Sequence, residues 1–130
     1  MVIGIIDSGV NVEHAAFGGK LKIADQHHFY KDPEGDICHN PDISDEIGHG
    51  TSVCWIIHKF VPDAEFVIFK VFSEADDTDE EILIHTFEYI RDRVSALLRG
   101  LGTDLGLASG ALSTGRLFTY LNFMSGLGMS

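Results

Sequence analysis

Cysteine is scarce in this chain of 130 residues, which carries only Cys38 and Cys54. Two thiols are too few for a disulfide framework and fit a reducing, cytoplasmic compartment, although a single bridge between them stays open at this stage. Basic residues are scarce too. Nine Lys and Arg stand against twenty Asp and Glu, a formal charge of −11. A surface of that sign repels phosphate backbones and anionic membranes, so neither nucleic acid nor a membrane is expected as a partner. The first residues lack both a basic stretch and an apolar signal core, so no secretory leader is expected. Residues 105–124 approach the length of a membrane span, but Arg116 and the interspersed glycines argue against one. There are no repeats and no low-complexity tract.

What is present is the composition of one packed domain, with 45% apolar residues. The chain opens on Val2-Ile-Gly-Ile-Ile, a β-branched run that ends abruptly at Asp7-Ser8-Gly9. This reads as a buried strand with a carboxylate at its carboxyl end, the place where open parallel sheets gather their reacting groups. Residues 11–19 read as a loop, and Leu21 to Ala24 as a short strand. The polar, Pro- and Gly-bearing stretch 32–42 reads as an exposed loop. His27 and His28 read as an ordinary loop or strand edge. From His49 to Phe60 apolar residues fall almost all round a helix, which predicts a buried one, closed by Pro62. Glu65 to Phe72 has the near-continuous apolar character of a parallel strand covered on both faces. A second helix is predicted from Thr78, where Thr78-Asp-Glu-Glu81 matches a capping box, to about Leu98. Alternation of strand and helix predicts an α/β fold, a parallel sheet with flanking helices. Residues 101–130 differ from the rest. They hold six glycines and only Asp104 and Arg116 as charges, and they read as a Gly-rich apolar tail.

Two segments carry chemistry. A carboxylate at the end of the first strand and a histidine at the start of a helix make sense together if they meet. Asp7 would hold one nitrogen of His49 and leave the other free to take a proton. The helix N-terminus disfavours an imidazolium and Asp7 favours it, which suits a ring that is neutral near pH 7 and still basic. Gly48 and Gly50 remove Cβ atoms on either side of the ring, and Thr51 and Ser52 are placed to satisfy free amides of the first helical turn.

These segments resemble a known family. Ile5-Ile6-Asp7-Ser8-Gly9-Val10 resembles the aspartate signature of the subtilases, and Gly48-His49-Gly50-Thr51-Ser52-Val53 resembles their histidine signature, in the order Asp then His that subtilisin uses. Glu65 to Phe72 resembles the strand that follows. The resemblance runs from Val2 to about Ile90 and places residues 1–100 in the N-terminal half of a subtilisin-like catalytic domain, apparently incomplete. It implies a serine endopeptidase acting on peptide or protein, with Asp7 as orienting acid, His49 as general base and no cofactor.

The family's serine lies in a Gly-Thr-Ser-Met-Ala type segment at a later helix, with an asparagine for the oxyanion hole before it, and neither is found. Ser109 and Ser113 lack that motif, and Gly100 stands where the Ser-Leu-Gly strand of the substrate cleft would place serine. The chain alone is therefore expected to be inactive and to need a complementing chain or an oligomer. The alternatives are a non-catalytic peptide-binding module derived from the same fold, or an unrelated α/β enzyme with Asp7 as nucleophile or ligand. Cys54 and His58, with His49, Cys38 and His39, form a weak zinc candidate, and Asp76, Asp77, Asp79, Glu80 and Glu81 a weak calcium candidate. A buried Cys and a solvated helix start are the preferred readings, so no metal site is expected.

Overall fold

The computed structural model describes residues 2–73 and 78–100, with side chains described as far as residue 93. Its elements are β1 (Val2–Asp7), a 3-10 turn (Ala15–Phe17), β2 (Lys22–Lys31), β3 (Ile37–Asn40), α1 (His49–Phe60), β4 (Glu65–Lys70) and α2 (Glu80–Gly100). The strands lie in the order β1-β4-β2-β3. β4 runs parallel to both β1 and β2, and β3 is antiparallel to β2 at the edge. The fold is α/β.

Alternation along the strands divides the core in two. Ile3 and Ile5 of β1 and Phe66 and Ile68 of β4 pack on one face with Cys54, Val53 and Ile57 of α1. Ile6, Phe29 and Phe69 pack on the other with Ile82, Phe87 and Ile90 of α2. Because β1 and β4 are covered on both sides, both read as unbroken apolar runs. Each fully buried residue such as Ile5 or Phe66 contributes about 1.5–3 kcal/mol. The pairing Ile5↔Ile68, Ile6↔Phe69 and Asp7↔Lys70 brings the carboxyl ends of the two parallel strands level. Asp7 and Lys70 therefore share the α1 face with Ile5 and Ile68.

Several sequence expectations are corrected. β2 continues to Lys31, well past Ala24, and the expected loop 32–42 contains β3. The turn is built by Asp32, whose carboxylate accepts from the amides of Glu34 and Asp36 (3.0 and 2.9 Å), with Gly35 at φ 86°. Polar residues dominate this hairpin because it forms the sheet edge, so its pattern is not that of a core strand. A register shift between Ile23 and Asp25 also interrupts the alternation of β2 and hides its length. α1 has the expected bounds but is not buried all round: Trp55, Ile56 and Phe60 are 39%, 50% and 80% exposed. α2 is capped by Asp79, whose carboxylate accepts from the Ile82 amide at 2.9 Å, rather than by Thr78. Glu81, the expected second half of the box, instead pairs with Lys31. The tail, with Ser109, Ser113, Asp104 and Arg116, lies outside the described residues, as do Asp76 and Asp77. Among the described residues, no helix is long and apolar enough to cross a membrane.

Candidate active site

The sequence brings β1 and α1 together through two glycines. A Cβ on Gly50 would run into the carbonyl oxygen of Gly9, and one on Gly9, which sits at φ 105°, would run into the carbonyl of Ile43. Only bare backbone permits this approach of strand end to helix start. Gly50→Ala should therefore destabilise the chain by at least about 1–3 kcal/mol, the usual cost of overpacking. Urea denaturation of the variant against the parent measures it.

At this junction the two predicted residues meet. Nδ1 of His49 lies 3.0 and 2.9 Å from Oδ1 and Oδ2 of Asp7. The Asp7 carboxylate is nearly fully buried, while the His49 side chain is about half exposed. The Ser8 amide donates to Asp7 Oδ1 at 2.7 Å and fixes the carboxylate plane. An ionised carboxylate only accepts, so Nδ1 of a neutral His49 carries the hydrogen and Nε2 presents its lone pair. Among the described residues, Nε2 makes no hydrogen bond. The arrangement is a half-exposed imidazole held through Nδ1 by a buried acid. Burial is the largest influence on Asp7 and raises its pKa above the ordinary 3.8, against the opposing pull of the Ser8 amide and His49.

A second acid, Asp45, which no local sequence motif marks, organises the site. Gly48 at the N-cap of α1 offers no side-chain cap. Asp45 supplies the missing acceptors: Oδ1 takes the amides of Ile47 (3.1 Å) and Gly48 (2.8 Å), and Oδ2 takes the amide and hydroxyl of Thr51 (3.0 and 2.6 Å). Its Oδ1 also accepts from the Ser8 hydroxyl at 2.7 Å, and that hydroxyl in turn accepts the Gly50 amide at 3.0 Å. Ser8 thereby ties the strand end carrying Asp7 to the helix start carrying His49. Burial opposes the charge on Asp45, but the bonds from Thr51, Gly48 and Ser8 outweigh it and hold its carboxyl below the ordinary 3.8. The expected roles of Thr51 and Ser52 are corrected accordingly. Thr51 donates to Asp45, and Ser52 donates to the Gly48 carbonyl at 3.1 Å, so neither caps a first-turn amide. The signal for Asp45 was available: a helix starting on Gly-His-Gly has no capping side chain of its own, so an acid just upstream must serve.

Lys70, 2% exposed, completes the support. Its ammonium donates to the Ser44 carbonyl and pairs with Glu46 at 2.7 Å, gripping the residues on either side of Asp45. That pairing also holds Glu46 below its ordinary value.

A model of the subtilase family (Peptidase S8) matches residues 1–83, well over half of the chain. The chain belongs to the subtilase family. Both Asp7 and His49 fall inside the matched region, as do Ser8, Asp45 and Lys70. No match was found among curated proteins. The match stops before the end of α2, short of the resemblance to about Ile90 read from sequence.

The structure does not assemble the zinc candidate in this subtilase. Cys54 is fully buried in the α1 core, where burial drives its thiol pKa far up and leaves it inert, and Cys38 sits at the turn against Asp32. Among the described residues, no group of three or more His, Cys, Asp or Glu stands close enough to hold a metal ion.

Proposed function

We propose that this chain provides the acid and base of a subtilisin-like serine endopeptidase. Asp7 orients the imidazole of His49 through Nδ1–H, and Nε2 of His49 removes the proton from a serine hydroxyl as that oxygen attacks a peptide carbonyl. The same nitrogen then returns the proton to the leaving amine. The observation that carries this reading is the pair of contacts from His49 Nδ1 to the buried Asp7 carboxylate. The match to the subtilase family supports it.

In this reading the nucleophile and the oxyanion donor come from a further segment of a catalytic domain, either joined to this chain or carried by a complementing one. The outward face of α1, the helix that carries His49, supports such a partner, since it exposes Trp55, Ile56 and Phe60. Incubation with a fluorophosphonate probe and a general peptide substrate tests the assignment. The chain alone should show neither labelling nor hydrolysis. Stoichiometric labelling of Ser109 or Ser113 would overturn the assignment of the nucleophile to another segment.

A further inference from the structure

The sheet face opposite His49 carries a second group of ionisable side chains that peptide cleavage does not use. Asp25, His27 and Phe29 alternate along β2 toward α2, and His39 of β3 stands directly opposite Phe29. His27, 6% exposed, is bonded at both nitrogens: Nε2 lies 2.8 Å from Asp25 Oδ2, and Nδ1 lies 2.9 Å from Nε2 of His39. Its ring stacks on Phe69 at 5.2 Å, and Tyr89 of α2 lies across it at 4.9 Å and across His39 at 5.7 Å. Arg93 sits 4.8 Å above the Tyr89 ring, and His85 meets Phe29 at 4.9 Å.

Proton counting constrains this chain of contacts. Asp25 accepts, so Nε2 of His27 carries a hydrogen. The gap between His27 Nδ1 and His39 Nε2 then needs one hydrogen, held by either ring. The relay survives with both rings neutral, or with one imidazolium. With both rings charged, two N–H groups face each other and the bond is lost. We propose that Asp25, His27 and His39 form an acid-sensitive latch that holds β3 and the middle of α2, residues 85–93, on the sheet and opens when both imidazoles are protonated.

The surroundings reinforce that direction. β2 contributes Asp25 and His27, β3 contributes His39, and α2 contributes His85, Tyr89 and Arg93, while β4 contributes Phe69, which does not titrate. Among the described residues, one carboxylate thus faces three histidines and an arginine. Desolvation first, then the charges of His27, His85 and Arg93, hold His39 below its ordinary 6.5 against the pull of Asp25. A histidine depressed in the fold binds its proton more tightly when unfolded, so its contribution is complete above about pH 6.5 and is lost as the pH falls below that value. The first turn of α2 is held separately, by Lys31 on Asp79 (2.8 Å) and Glu81 (3.2 Å). Lys31 keeps Asp79 below its ordinary 3.8, so that ion pair persists while the latch opens.

Hydrogen exchange of the intact chain at pH 7.5 and 5.5, corrected for intrinsic rates, tests this. Peptides covering β3 and residues 85–93 should lose about fivefold or more in protection at pH 5.5, the factor carried by losing one hydrogen bond worth about 1 kcal/mol net. Peptides covering β1 and α1 should not change. His39→Gln keeps an N–H donor for His27 but cannot take a proton, and should shrink the pH effect to under about twofold. Equal protection of the parent at both pH values, or an undiminished loss in the variant, would overturn the latch. Imidazole nitrogen spectra of the parent chain give a reading independent of the variant: protonation of both His27 and His39 should coincide with the loss of protection, and protonation without that loss would overturn the proposal.

Discussion

Asp45→Ala should destabilise the chain by about 3–5 kcal/mol, the upper end of single-substitution effects, as expected on losing a buried carboxylate that accepts several hydrogen bonds. The Asp45 carboxylate accepts from the amides of Ile47, Gly48 and Thr51 and from the hydroxyls of Ser8 and Thr51. A buried donor left without an acceptor costs about 1–3 kcal/mol, and the helix has no N-cap side chain to take over. The total falls below the sum because part of this junction can admit water. Asp45→Asn keeps one acceptor oxygen but turns an NH2 group toward donors, so it should lie between alanine and the parent. Chemical denaturation gives the magnitudes. The alanine variant should also disturb His49, since the Ser8 hydroxyl that bridges to the Gly50 amide loses its own acceptor.

Asp7→Asn separates chemistry from stability. In a catalytic domain completed by a serine-bearing segment, this change should lower kcat by about 10⁴-fold, because an amide that donates to Nδ1 holds the imidazole in the wrong tautomer. Stability moves the other way. The folded pKa of Asp7 stands above its ordinary 3.8, chiefly through burial. The folded chain therefore binds this proton more tightly than the unfolded chain does. Its stabilising contribution is complete below about pH 3.8 and is lost as the pH rises through the folded value. At pH 7 the ionised group is a burden on the fold, so Asp7→Asn should raise Tm there, and the gain should shrink as the pH is lowered. Paired measurements of kcat and Tm across pH check both halves.

The parts of the molecule read correctly from sequence are those where one physical signal dominates. β1 and β4 are covered on both faces, and α1 begins on a glycine-flanked histidine and ends before Pro62; each was legible from hydrophobicity and turn chemistry. The Asp7 and His49 pairing was legible because two local motifs each placed a polar group at the end of a buried element. What escaped was set by longer-range contacts. β3 is polar because it lies at an edge, and β2 loses its alternation at the irregularity near Ala24. Asp45 looks like any loop acid until the uncapped start of α1 is brought against it. Lys70 reads as a lone charge within an apolar strand that runs on to Phe72, and only the return of residues 44–46 over the sheet explains its burial. The outward face of α1 is apolar in sequence but exposed among the described residues, so pattern alone predicted a covering that those residues do not provide.

The central claim is that the Asp7 carboxylate holds His49 with its hydrogen on Nδ1 and its lone pair on Nε2. Imidazole proton and nitrogen NMR of the chain near pH 8, with Asp7→Asn as reference, tests this most directly. The account predicts a protonated Nδ1 with a strongly downfield proton, an unprotonated Nε2, and loss of that proton signal in the variant. A hydrogen on Nε2 in the parent chain, or a His49 spectrum that the variant leaves unchanged, would contradict it.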